Sequence, residues 1–180
     1  MSTLANRRLL KLAPKPTIRR MASPLIYLET SVVSYLTSRP SRDAVTAVRQ
    51  LLTHEWWESV DKTRVWVSEL VLAEIARGDP QAASRRLALV SDLPCLSEQI
   101  DTSLLAVRLM EAGVVPFTEP EDATHIALAC LSKATYLVTW NFSHFVGPES
   151  KYKVFTALRD WGYTPPLFAT PEEMLEGARP

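Results

Sequence analysis

Five short apolar runs, at residues 25–28, 64–67, 94–96, 135–139 and 166–169, recur along this chain with amphipathic stretches between them. Each run is too short for a helix and is rich in aliphatic or aromatic residues, the pattern of a strand. The segments near 31–37, 43–59, 69–77, 80–91, 98–113, 121–132 and 151–161, with a last one at 171–177, carry apolar residues at helical spacing. Strands alternating with helices build a parallel sheet covered on both faces. The expected fold is α/β, a three-layer α/β/α sandwich with a central, mostly parallel sheet of about five strands. Asp43, Ser97 and Thr118 are placed to cap helices, and Gly78 and Gly113 to end them. In such a sheet, ligands bind beyond the carboxyl ends of the strands.

Composition narrows the class. With 180 residues, 47% of them apolar, the chain can bury a core without disulfide staples. No apolar run approaches the roughly 18 residues a membrane span needs, so no membrane partner is expected. Cys95 and Cys130 lie far apart in apolar surroundings without metal-ligand spacing, which predicts reduced core thiols in a cytoplasmic protein. The net charge of zero hides an asymmetry. Residues 1–20 hold Arg7, Arg8, Lys11, Lys15, Arg19, Arg20 and no acid, which leaves 14 basic and 20 acidic residues for the remainder. The segment before Met21 lacks a long apolar region and an A-x-A-like cleavage site, so it is a poor secretory signal. Two readings of it stand: a disordered tail, such as an upstream start codon would add, or a basic arm on nucleic-acid backbone. The expected organisation is a basic extension over residues 1–22 and one domain over residues 23–180.

Three acids stand where ordinary surface acids do not. In "PLIYLETSVVSYL" the apolar run stops at Glu29, and the helix-capping types Thr30 and Ser31 follow. A carboxylate ending a buried strand is costly unless something compensates it, either a buried Arg or a bound cation. Glu74, in "VSELVLAEIARGDP", sits at the border of its helix's apolar stripe, whereas Glu69 is a first-turn charge that the helix dipole favours. Asp122 opens "EDATHIALAC" and shares one helix face with His125, Ile126 and Ala129. In "YLVTWNFSHF" a buried strand ends in Thr139, and Asn141 follows in the turn, where local backbone bonding is the alternative role. Read singly, each acid has an ordinary explanation. Read together, two of these positions end strands and two start helices, and a doubly wound sheet brings such positions to one mouth. Clustered carboxylates repel and hold protons unless a divalent cation is present, and Mg²⁺ or Mn²⁺ prefers oxygen ligands. There is no P-loop, no G-x-G-x-x-G and no Asp-x-Asp pair, which speaks against nucleotide cofactors and an aspartyl phosphatase.

In this order, "IYLETSVVSYL", "SELVLAEIARGDP", "EDATHIALA", "LVTWNFSHF" and "GYTPPLFATPEEML" resemble the PIN-domain ribonucleases, particularly the VapC-like toxins of bacterial toxin–antitoxin pairs. The resemblance spans essentially everything after Met21. It implies an endonuclease for single-stranded RNA that uses Mg²⁺ or Mn²⁺. The ion is held by acids matching Glu29, Asp122 and Glu74, the last beside the ligands or orienting the attacking water. Asn141 and Thr139 complete the catalytic set. It also implies a small antitoxin partner and a homodimer. Two positions depart from the family pattern, since the first acid is mostly Asp and the fourth position often is. Glu29 is one methylene longer, and Asn141 removes a charge, which favours one metal or a substrate-assisted second one. Those departures keep a rival open, a catalytically silent member acting as an RNA-binding or protein-interaction module. Further alternatives attach to single residues. His125 and His144 are structural or catalytic, and Arg39 and Arg42 contact phosphate or belong to a solvated loop. "HEWWE", residues 54–58, either anchors a partner or packs one tryptophan into the core.

Overall fold

Strand β1 (Ile26–Leu28) is buried along its whole length and passes through Glu29 directly into α1 (Thr30–Thr37). The structure, a computed structural model, describes residues 25–141 and 148–177. The basic extension and His144 therefore lie outside the described residues. From α1 the chain continues through α2 (Ala44–Ser59), a 3₁₀ turn at Lys62–Arg64 and β2 (Val65–Ser68), then α3 (Glu69–Ile75) and α4 (Pro80–Val90). The remainder runs β3 (Cys95–Leu96), α5 (Ile100–Glu111), α6 (Pro120–Leu131), β4 (Tyr136–Val138), α7 (Pro148–Asp160), β5 (Leu167–Ala169) and α8 (Pro171–Glu176).

All five strands are parallel, in the spatial order β3-β2-β1-β4-β5. β1 pairs with β4 in the register Ile26–Tyr136, Tyr27–Leu137 and Leu28–Val138. The ladder extends one residue further, because the Glu29 N–H donates to the Val138 carbonyl at 3.1 Å. The strand order reverses direction between β1 and β4, which makes the gap beyond their carboxyl ends the switch point of the sheet. The expected α/β architecture is the observed one. Among the described residues no helix is long and apolar enough to cross a membrane.

The core explains the element lengths. Leu28, Val32, Val33, Val65, Val71, Ile126, Leu137 and Leu158 are all fully buried across both faces of the sheet. Helix α6 is the most enclosed, with Asp122, Ala123 and every residue from His125 to Cys130 buried. A helix apolar nearly all round belongs inside a fold, so its two polar members need a stated reason to be there.

Capping follows the sequence in part. Asp43 accepts from the Thr46 N–H at 2.8 Å at the start of α2, and Gly78 and Gly113 adopt φ of 87° and 66° after their helices, as expected. Ser97 and Thr118 do not cap. The Ser97 hydroxyl instead donates to Glu69 Oε1 at 3.0 Å, and α5 begins later, with the Gln99 N–H bonded to Thr102 Oγ1. At α6 the cap is Glu119, and Pro120 occupies the first helical position, where its missing N–H costs nothing. Cys130 is buried as expected, but Cys95 is exposed, because β3 is a two-residue edge strand. In "HEWWE" the core alternative holds. Trp56 is buried, and Trp57 is half-buried beneath the Lys62 ammonium, 4.4 Å from the ring centroid.

Candidate active site at the sheet switch point

Glu29 serves as the N-cap of α1, and that local role fixes its rotamer. Its Oε2 accepts from the Ser31 N–H at 3.0 Å, from the Ser31 hydroxyl, and from Thr139 Oγ1 at 2.7 Å across the β1–β4 gap. Three donors on one oxygen offset the cost of burying a carboxylate that is only 7% exposed, without any cation among its bonded partners. Glu29 Oε1 accepts no bond among the described residues.

The residues after β4 are tied into the same knot. The Trp140 N–H donates to Ser31 Oγ at 2.8 Å, and the Asn141 N–H donates to Thr139 Oγ1 at 2.9 Å. Asn141 Nδ2 then reaches Asp122 Oδ1 on the first turn of α6, at 3.4 Å. The indole N–H of Trp140 is satisfied by Thr53 Oγ1 at 2.7 Å, and the Arg49 guanidinium lies 5.6 Å from the Trp140 ring centroid.

Glu74 approaches from the other side. It stands in the second turn of α3, whose N-cap is Ser68 at the end of β2. Its Oε2 accepts from Thr30 Oγ1 and from His125 Nε2 at 3.0 Å, while Oε1 again accepts nothing among the described residues. Burial pushes the Glu74 carboxyl up, but the bonds from His125 and Thr30 outweigh it and hold the pKa below the usual glutamate value. His125 shows the converse. Full burial works against charge on its ring, yet the Glu74 bond and the negative charge of Glu29, Glu74 and Asp122 prevail and raise its pKa. One ligand atom from each of Glu29, Glu74 and His125 falls within 4.8 Å of the others.

The five residues expected to form the site, Glu29, Glu74, Asp122, Thr139 and Asn141, thus lie at one mouth from β1, α3, α6 and the end of β4, with Asp122 tied in through Asn141 and outside the group of ligand atoms within 4.8 Å of one another. His125 is satisfied at both ring nitrogens, with Nδ1 bonded to Tyr27 Oη at 2.7 Å. Arg39 and Arg42 are not brought into this knot. Both are exposed on the loop after α1, about 12 Å of helix from Thr30. Three residues that sequence reading left unassigned take part. Thr30 and Ser31 are visible in the sequence only as cap types, and Tyr27 only as a hydroxyl within an aliphatic strand.

No family model matches this chain, and no curated protein does. Solved structures do. The FitAB complex bound to a DNA fragment overlays with a TM-score of 0.51 at 13% identity, over 82% of this chain and 96% of that one. VapBC-1 from nontypeable Haemophilus influenzae overlays at 0.50 and 13% identity, over 82% of this chain and 98% of that one. The Mycobacterium tuberculosis toxin VapC20 is 21% identical, with a TM-score of 0.49 over 66% of this chain and 92% of that one. At such identities a likeness is one of fold, and the chain accordingly has the PIN-like α/β fold of the kind found in FitAB and VapBC-1.

Proposed function

We propose that this chain is a metal-dependent endoribonuclease that cleaves single-stranded RNA, the toxin of a toxin–antitoxin pair. One observation carries the reading. Glu29 and Glu74, from elements distant in sequence, are each anchored through Oε2 and keep Oε1 unbonded among the described residues, at the switch point where a PIN-like sheet places a ligand. Acids arranged that way repel one another, and their Oε1 atoms, unlike the Oε2 atoms, serve no bond of the fold among the described residues.

The donor set suits a hard divalent cation such as Mg²⁺ or Mn²⁺, since the unbonded groups are carboxylate oxygens and the His125 nitrogens are engaged. Glu29, Glu74 and Asp122 would hold it. A bound cation supplies Lewis-acid chemistry, making water more acidic and offsetting charge on phosphoryl oxygens. The chain's own residues do the rest. Thr139 and Ser31 fix the Glu29 carboxylate, and Asn141, bonded to Asp122 through its amide, is placed to orient a phosphate oxygen without adding negative charge. Arg49, its guanidinium 5.6 Å from the Trp140 ring centroid, is a further candidate for a phosphate contact beside Arg39 and Arg42.

Two surfaces support the proposed partners. A cleft of about 410 Å³ beside Trp140, lined by Val45, Val48 and Leu52, fits an apolar antitoxin segment. On α5, Ile100, Leu104 and Val107 recur at i, i+4, i+7 and are exposed, an apolar stripe suited to a second copy of the chain.

Asp122→Asn tests the activity. The expected outcome is an intact fold and loss of Mn²⁺-dependent cleavage of single-stranded RNA, by about 10²-fold or more. Undiminished cleavage by the purified variant removes Asp122 from the site, and a wild type that neither cuts RNA nor binds Mn²⁺ leaves the silent-module reading in its place.

A further inference from the structure

One buried chain of hydrogen bonds is not consumed by the reading above. Tyr27 Oη lies 2.8 Å from Ser68 Oγ and 2.7 Å from His125 Nδ1, and His125 Nε2 lies 3.0 Å from Glu74 Oε2. Ser68 in turn accepts the Val71 N–H at 3.2 Å. Tyr27 and Ser68 are fully buried, and His125 is 1% exposed. β1, β2, α3 and α6 each contribute a member, so the chain ties four elements together beneath the mouth.

Its direction is set at the Glu74 end, where the carboxylate can only accept and His125 Nε2 must donate. In the neutral imidazole Nδ1 is then an acceptor, so the Tyr27 hydroxyl donates to it, and Ser68, which accepts the Val71 N–H, has its own hydroxyl proton for Tyr27 Oη. No donor meets a donor anywhere along the sequence. Both imidazole nitrogens are occupied within the protein, which argues against His125 as an ion ligand even though it stands among the clustered groups.

We propose that His125 is a positioning residue, which Tyr27 holds with its proton on Nε2, so that the bond to Glu74 Oε2 turns Glu74 Oε1 toward Glu29. This rests on the proposed cation site and assigns that site a residue whose role the sequence leaves open between structural and catalytic. A histidine that orients an acid behaves as outer partners of metal sites do, and loss of such a partner weakens metal binding by about 10- to 100-fold.

The test is Mn²⁺ affinity by calorimetry on the full chain, for wild type, His125→Ala, His125→Gln and Tyr27→Phe, with thermal melting of each to verify folding. Glutamine keeps an N–H donor near the place of Nε2 but offers no imidazole nitrogen to an ion. Expected are a loss of about 10-fold or more for His125→Ala, recovery of most of it in His125→Gln, and an intermediate loss for Tyr27→Phe. Nitrogen NMR of the metal-free protein adds a second readout, a His125 signal protonated at Nε2 that vanishes in His125→Gln. Wild-type affinity in His125→Ala, no recovery in His125→Gln, or an unprotonated Nε2 each overturns the proposal alone. A wild type without measurable Mn²⁺ affinity overturns the cation site itself, and with it this role.

Discussion

Glu29 illustrates how one residue can satisfy two demands. Its Oε2 completes the first turn of α1 and the β1–β4 seam, while its second oxygen is left over. The extra methylene relative to aspartate lets the carboxylate fold back onto Ser31 and still reach Thr139. The two cysteines make a contrast at the same scale. Cys130 is buried, with only a weak contact to the Thr164 carbonyl at 3.7 Å, and burial pushes its thiol up to about 11. Cys95 is exposed on the edge strand. A thiol reagent at pH 8 is expected to label one cysteine in the native protein, Cys95, and both in urea. Simultaneous labelling of both under native conditions would show that α6 is less enclosed than described. The raised Cys130 pKa also has a sign. Its neutral form is favoured by folding, so this contribution to stability is complete below about pH 9 and declines as pH rises toward 11, and it is absent in Cys130→Ala.

Elements in this protein are held by their ends. At α8, Thr170 Oγ1 accepts the Glu173 N–H at 3.1 Å and Glu173 Oε2 accepts the Thr170 N–H at 2.8 Å, a reciprocal capping box on a buried threonine. Thr170→Ala is expected to cost about 1 kcal/mol, read as a lower urea midpoint at unchanged slope. An unchanged midpoint would mean that α8 is held by its packing against α2 alone. The element scale is also where the sequence was most legible. Apolar runs and helical spacing place every strand and helix within a few residues, because the central strands are buried on both faces and most helices turn an apolar face to them. The errors share a cause. Ser97 and Thr118 have cap chemistry, but a hydroxyl serves whichever acceptor lies nearest, and Ser97 finds Glu69, 28 positions earlier in the chain. Cys95 looked like core because edge position is a property of strand order, which periodicity does not carry. In the site, the strand-end and helix-start acids were visible one by one. The bond between Glu74 and His125, 51 positions apart, and the use of Tyr27 to hold that histidine arise only from the pairing of β1, β2, α3 and α6.

For the molecule as a whole, the proposed cation site would couple stability to ion binding. Three buried or half-buried acids and a PIN-like switch point meet where the two halves of the sheet join. A ligand that binds the native state alone adds about 2.7 kcal/mol at 100 times its Kd, which for a chain of this size corresponds to roughly 5–10 °C in Tm. Mn²⁺ is therefore expected to raise the wild-type Tm by that order and to leave Asp122→Asn nearly unmoved. The metal-free Asp122→Asn protein should melt no lower than metal-free wild type, because one of the mutually repelling charges is gone. An equal Mn²⁺ shift in both proteins would place the ion elsewhere.

The parallel pairing of β1 with β4 carries a consequence for synthesis. Glu29 and the Thr139 that braces it are 110 positions apart, and parallel neighbours cannot be joined by a hairpin. A growing polypeptide leaving the ribosome consequently has no assembled cleft until β4 and Thr139 have emerged, 110 positions behind Glu29. For a chain whose proposed target is RNA, that delay means the codons from Glu29 to Thr139 are all read before the product acquires any power to cut a message.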